Sequence, residues 1–225
     1  MTEPEDDQQE GRQARISPDD DRGFIERTMR ALELTQGVEI ARRYLAMNAF
    51  DGALTMLGLI LGGLITIDPA NPGIVFNALL LAAVGTSVAM AVSGFSGSYL
   101  AESAERDREV EEMGRAMLTD MSESMYAKAT RTTSAVVAIV DGLAPAGAAL
   151  IIITPLMLVP LRLIDIYTAF YAAIALCMLL LFLLGLFLGR VSRKSMWSYG
   201  AKTLLAGIVT AILMFIISLL TEAGA

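Results

Sequence analysis

The chain has 225 residues, 55% of them hydrophobic and 18% charged, with a formal net charge of −7. This composition fits one soluble domain with a very large core or a membrane protein, and the acidic balance provides no electrostatic footprint for nucleic acid. A single cysteine, Cys177, excludes a disulfide framework.

The distribution of apolar residues decides between the two classes. Residues 1–21, MTEPEDDQQEGRQARISPDDD, are acidic and have no apolar period, which predicts a disordered tail. Residues 22–45 predict an amphipathic interfacial helix, in which Phe24, Ile25, Met29, Leu32 and Val38 are interrupted by Glu and Arg. Beyond them, apolar runs recur at residues 46–67, 73–98, 133–160, 166–189 and 200–221, each long enough to cross a hydrocarbon layer of roughly 30 Å as a helix. Asp68 to Gly73, Pro160 to Asp165 and Arg190 to Ser195 supply the turns between runs. The expected fold is therefore all-α, a polytopic integral membrane protein with five transmembrane helices. Residues 46–98 would hold the first two, residues 133–221 the last three, and residues 99–132 the segment between.

Basic residues near span ends are retained on the cytosolic side. Arg42, Arg43, Arg106, Arg108, Arg115, Lys128, Arg131, Arg190, Arg193 and Lys194 all fall on the side of the N-terminus, against Arg162 on the other. The expected N-terminus is cytosolic and the C-terminus outside or lumenal.

The connector YLAESAERDREVEEMGRAMLTDMSESM contains eight acids and four methionines. No proline interrupts the chain between Pro72 and Pro145, so the second span is expected to continue into the cytosol as one helix, with Gly114 its weak point. At about 100° per residue, Glu102, Glu105, Glu109 and Glu112 share an arc of about 80°, while Met113, Met117, Met121 and Met125 follow the adjacent line. Like charges at this spacing destabilise a helix by a few tenths of a kcal/mol per pair unless neutralised. A divalent cation would neutralise them. Carboxylates with a thioether nearby suit a softer first-row metal, and a chain without histidine has no conventional zinc or copper site. A solvated acidic face beside a methionine stripe packed on a partner helix explains the same pattern.

Two aspartates lie within or beside apolar runs: Asp51 in NAFDGALTMLGLILGG and Asp141 in AIVDGLAPAGAALIII. A carboxylate at membrane depth costs about 2.5–3.5 kcal/mol on insertion scales and usually faces a cavity, a partner or a substrate path. Each precedes glycine, which admits backbone or water close to a bound ion. A carboxylate that holds either a proton or a metal is the minimal part of an exchanger. A water-exposed helix end for Asp51, and a buried hydrogen-bonded group for Asp141, are the alternatives. Gly58 to Gly62 and Gly185 to Gly189 are Gly-x-x-x-Gly patterns compatible with packing within a subunit or between two.

Over residues 40–221 the sequence resembles the vacuolar iron transporter family of ferrous iron and manganese transporters. NAFDGALT resembles that family's Asp-Gly-x-x-Thr motif in the first span. GSYLAESAERDREVEE resembles its Gly-Glu-Tyr-Leu-Ser exit from the second span with the acidic run that follows, and GRVSRKSMWSYGAKTLLAGIVTAILMFIISLL its last loop and span. The resemblance implies a homodimeric five-span antiporter that moves Fe2+ or Mn2+ out of the cytosol against protons. Its partners would be the ion, protons, the bilayer and a second copy, with the metal as substrate and no tightly bound cofactor. Asp51 falls on the family's transport-path aspartate, and Glu102 and Glu105 on the start of its metal-binding helix. This chain departs at Ser93-Gly94, where the family has Ser-Met, and at Gly97-Ser98-Tyr99, where it has Gly-Glu-Tyr. Met90, Glu102 or Asp141 are candidates to replace what is lost.

The expected metal-handling residues are thus Asp51, Glu102, Glu105, Glu109, Glu112, Met113, Met117 and Asp141, in a divalent metal transporter. The alternative is a non-transporting metal-binding, sensor or scaffold protein of the membrane. No enzymatic activity is expected: an intramembrane aspartyl protease would pair two aspartates in Tyr-Asp and Gly-x-Gly-Asp contexts, whereas these stand in Phe-Asp-Gly and Val-Asp-Gly.

Overall fold

A computed structural model describes residues 23–223, so the acidic tail of residues 1–21 lies outside the described residues. Six helices follow one another: α1 (Phe24–Leu34), α2 (Gly37–Thr66), α3 (Pro72–Met117), α4 (Met125–Met157), α5 (Ile166–Val191) and α6 (Met196–Ala223). Helices α2 to α6 are each long and apolar enough to cross a membrane, and no strand occurs among the described residues. The protein is a helical multi-pass membrane protein.

The ends of the elements differ from the sequence reading in two places. The helix expected over residues 22–45 is divided, because Gln36 takes a left-handed conformation (φ 55°) and starts α2 in a new direction. Gly37 makes that break possible, since a Cβ there would lie 2.7 Å from the side chains of both Leu32 and Thr133. Thr35 fastens the break to α4 through a 2.7 Å hydrogen bond between its hydroxyl and that of Thr133. The first span is therefore continuous with the second half of the expected interfacial segment.

The second difference lies at the far end of α3, whose 46 residues rise about 69 Å and extend well past a single hydrocarbon layer. Pro72 opens this helix at a position where its missing N–H costs nothing. The expected extension is present but stops at Met117. Leu118 adopts the left-handed conformation, its N–H donates to the Arg115 carbonyl, and the Thr119 N–H donates to that of Gly114 at 3.1 Å. Gly114 is where the chain folds back: a Cβ would sit 2.9 Å from the Thr119 carbonyl oxygen. The four-methionine line is thereby cut, with Met113 and Met117 on α3, Met121 in the turn and Met125 opening α4.

Helix α4 is the axis of the molecule, packed against α1, α2, α3 and α5. Its buried face is rich in alanine (Ala138, Ala144, Ala148, Ala149), which allows neighbouring backbones to approach closely. Higher in the bundle, Ile152, Ile153 and Leu156 join Met56, Leu57, Ile60, Phe76 and Phe170 in the main core. Phe76 and Phe170 meet edge to face at 6.5 Å. Cys177 is fully buried and donates its thiol to the Ala53 carbonyl at 3.3 Å, joining α5 to α2. The Gly185 to Gly189 pattern serves packing within the subunit: a Cβ on Gly185 would come 2.6 Å from the Gly200 Cα, and one on Gly189 2.6 Å from the Met196 Cα. Gly58, by contrast, faces open space.

Candidate functional site

Two glycine crossings build the polar centre of the bundle. Helix α2 crosses α4 where Gly52 meets Pro145, a Cβ on Gly52 falling 2.7 Å from the Pro145 Cα. Helix α3 crosses α4 where Gly94 meets Gly142, with 2.9 Å between a Cβ on Gly94 and the Gly142 Cα. One helical turn from these contacts, Asn48 stands four residues before Gly52 and Ser98 four residues after Gly94. Both reach Asp141. The Asn48 amide donates to Asp141 Oδ1 and the Ser98 hydroxyl to Asp141 Oδ2. Asp141 is 7% exposed and Ser98 8%. Each oxygen of this intramembrane carboxylate thus has a donor from a different helix, which offsets the cost of burying it.

From Asp141 a succession of polar groups, one of them the Tyr44 main-chain carbonyl, leads out of the apolar layer. Asn48 also donates to the Tyr44 carbonyl at 3.0 Å, and the Tyr44 hydroxyl donates to Glu102 Oε1 at 3.3 Å. Glu102 pairs with the buried Arg106 guanidinium at 3.7 Å, and Arg106 reaches Glu109 at 3.0 Å. Glu109 in turn accepts from the Tyr126 hydroxyl at 3.4 Å. Arg106, Glu109, Glu112, Met113 and Tyr126 line a cavity of about 600 Å³, and Leu34, Thr35 and Gln36 from the break between α1 and α2 close its side.

The structure therefore brings Glu102, Glu109, Glu112, Met113 and Asp141 along one route and leaves three other expected residues off it. Glu105 is exposed on α3, and Met117 is 63% exposed at the helix end. Asp51 is exposed on the outer face of α2, beside Thr55 and the open Gly58. It lies about 22 Å of helix below Thr66, within the reach of one hydrocarbon layer. Among the described residues no three acidic, cysteine or histidine groups converge closely enough to hold a metal ion. Arginine already neutralises much of the acidic face: besides Arg106 with Glu102 and Glu109, Arg108 pairs with Glu112 at 2.9 Å and Arg115 with Glu111 at 2.6 Å.

The sequence singles out Asp141 but not the group of donors that holds it. Asn48 and Ser98 stand 93 and 43 residues away, and only the glycines four residues from each hint that these turns meet α4.

Fold and site together define a five-span helical membrane protein with a buried carboxylate, and a succession of polar groups between it and a cavity beyond the bundle's apolar layer. An uncharacterized protein of Methanocaldococcus jannaschii is 29% identical over 197 residues, which cover 86% of this chain and 96% of that relative. No family model and no solved structure matches the chain.

Proposed function

We propose that this protein is a secondary transporter that carries a divalent metal ion, Fe2+ or Mn2+, out of the cytosol in exchange for protons. The observation that carries the reading is the succession of polar groups between the cavity of Glu109, Glu112 and Met113 and Asp141, which passes through Glu102, the Tyr44 hydroxyl, the Tyr44 main-chain carbonyl and Asn48. A carboxylate is costly at membrane depth, and its connection to an outside cavity through Glu102, Tyr44 and Asn48 gives it a role that packing alone does not require. In this reading the N-terminal side is cytosolic, following the basic residues, and the cavity collects the ion through two carboxylates and a thioether.

The resemblance to the vacuolar iron transporter family supports the same function, and its two departures have one physical account. Where that family has methionine, Gly94 lets α3 touch α4; where it has glutamate, Ser98 donates to Asp141. The carboxylate absent from α3 is supplied from α4. Asp51, exposed within a span, completes the path in a homodimer, where the stripe of Asp51, Thr55 and Gly58 faces a second copy instead of lipid.

The test is reconstitution of the full chain in liposomes containing a pH-sensitive dye. An imposed Mn2+ gradient should drive protons in the opposite direction, and Asp141→Asn should abolish this coupling. If no ion moves protons, the transport reading is wrong. Metal binding by the same preparation without flux would instead select a sensor or scaffold, a role for which the arginine-paired acids of α3 are the supporting observation.

A further inference from the structure

Another cavity lies away from the polar line, on the opposite flank of α2. It has a volume of about 930 Å³ and opens between the first turns of α2, the last turns of α5 and the start of α6. Its floor is apolar, formed by Phe50, Phe187 and Leu188, and its rim bears Arg42, Arg43 and Arg193 opposed by the single carboxylate Glu39. None of the three guanidiniums has a carboxylate partner at salt-bridge distance among the described residues. Arg43 instead lies 5.9 Å from the centre of the Tyr44 ring.

We propose that this groove binds the headgroup of an anionic phospholipid from the leaflet on the side of α1. Phe50 and Leu188 lie within the apolar spans, whereas Arg42, Arg43 and Arg193 stand where those spans end, so the groove crosses the boundary between hydrocarbon and headgroups. A phospholipid has the matching order, acyl chains on the apolar floor and phosphate at the guanidiniums. The volume falls within the range of sites that enclose a small molecule, enough for a glycerophosphate and the first methylenes of its chains.

Topology asks only that basic residues lie on one side of the membrane. It does not ask that residues from α2 and from the turn between α5 and α6, 150 positions apart, converge on one apolar cavity. Arg193 is held there by its turn: its φ is 54°, its N–H donates to the Arg190 carbonyl, and the Lys194 N–H donates to that of Gly189 at 3.0 Å. The guanidinium fork pairs with phosphate oxygens through two parallel hydrogen bonds, for which lysine is a poor substitute. Glu39 weakens the attraction but leaves three guanidiniums against one carboxylate, and that positive excess favours headgroups with a net negative charge over zwitterionic ones. This inference does not depend on the transport reading.

The experiment is lipid retention by the purified full chain. Protein in mixed micelles is offered equimolar phosphatidylglycerol and phosphatidylcholine, and bound lipid is counted by native mass spectrometry. Phosphatidylglycerol should be retained at least tenfold over phosphatidylcholine, with roughly fivefold lost for each of Arg42→Gln, Arg43→Gln and Arg193→Gln and a gain for Glu39→Gln. The control Arg162→Gln, at the opposite end of the bundle, should leave retention unchanged. Equal retention of the two lipids, or a preference that survives in the triple variant, overturns the proposal. Inorganic phosphate that displaces the lipid at equal concentration overturns it in favour of a soluble anion. Efficient disulfide cross-linking of Val191→Cys between two copies overturns it in favour of a subunit contact; the native Cys177 is buried and silent in that assay. All variants lie on exposed positions, and monodisperse elution checks their folding.

Discussion

Ser98 on α3 donates its hydroxyl to Asp141 on α4, although the two are separated by 43 residues and a full reversal of the chain. The contact exists because Gly94 and Gly142 bring the two helices nearly to backbone contact one turn away. Deleting the hydroxyl leaves a buried carboxylate oxygen without its donor. Ser98→Ala should therefore destabilise the protein by about 1 kcal/mol, and membrane helices show average values nearer 0.6. Asn48→Ala removes the other donor. Thermal unfolding of both single variants and of the double variant should show a double loss larger than the sum, because the first deletion leaves one partner and the second leaves none. Simple additivity would show that the two donors act independently and that Asp141 finds other solvation.

The glycine crossings make a sharper claim. A Cβ on Gly142 would lie 2.6 Å from the Ala91 carbonyl oxygen, a backbone atom that cannot swing away, whereas one on Gly58 meets nothing within 4 Å. Gly142→Ala should cost about 2 kcal/mol through forced separation of α3 from α4, and Gly58→Ala should be neutral or slightly stabilising. Unfolding temperature in detergent separates the two outcomes. Equal effects would mean that α3 and α4 do not approach as closely as described.

Much of this architecture was legible in the sequence, for reasons that also explain what was not. The five apolar runs announce spans because hydrocarbon thickness imposes length, and Pro72 and Asp165 mark helix starts chemically. The pairs Glu102–Arg106, Glu111–Arg115 and Arg108–Glu112 follow from four-residue spacing. The break at Gln36 has only Gly37 to announce it, which a helix tolerates, and it is fixed by the packing of Thr35 and Gly37 on α4. Leu118 likewise adopts a conformation that local sequence disfavours, because α3 must turn back. The partners of Asp141 depend on the rotation of three helices about their axes, which hydrophobic periodicity in an almost uniformly apolar span barely encodes.

On the proposed transport function, Arg106 sets how readily the cavity takes an ion. It is buried and shared between Glu102 and Glu109, so an ion that binds Glu109 competes with a guanidinium already in place. Calorimetric titration of the full chain with Mn2+ should show binding weakened at least tenfold by Glu109→Gln with Glu112→Gln. Arg106→Gln should strengthen binding several-fold while lowering thermal stability by about 2 kcal/mol, since two partly buried carboxylates lose their partner. Unchanged affinity in the double glutamine variant would remove the cavity from any account of metal handling.

Acid sensitivity should appear at the start of α5. Asp165 caps that helix, accepting from the Thr168 N–H at 3.0 Å and the Thr168 hydroxyl at 2.6 Å. These bonds to Thr168 lower its pKa below the ordinary 3.8. A group depressed in the folded state stabilises it above its unfolded pKa and loses that contribution as pH falls through the folded value. The contribution of Asp165 should thus be full at pH 5 and fade below about 3.8. Asparagine caps helices as well as aspartate but does not titrate. Asp165→Asn should match the wild type near pH 5 in unfolding temperature and lose less stability than it does between pH 4 and pH 3. Identical profiles would assign the acid response to other carboxylates.

The open stripe on α2 gives the most direct test of assembly. Asp51 and Thr55 lie exposed along one side of a spanning helix, with open space before the half-buried Gly58 on the same side, and the carboxylate among them is expensive against lipid. A second copy packed through this side would cover it and place two Asp51 carboxylates near one axis, since a two-fold contact brings the same surface from each subunit together. The native Cys177 is buried, so a Gly58→Cys variant reports on this face alone. Mild oxidation in membranes should convert most of it to a covalent dimer, while a cysteine at Leu81, exposed on α3, should remain monomeric. Cross-linking at neither position would leave Asp51 facing lipid or water in a single subunit, and the transport path through a dimer axis would have to be abandoned even if Asp141 still proved essential for flux.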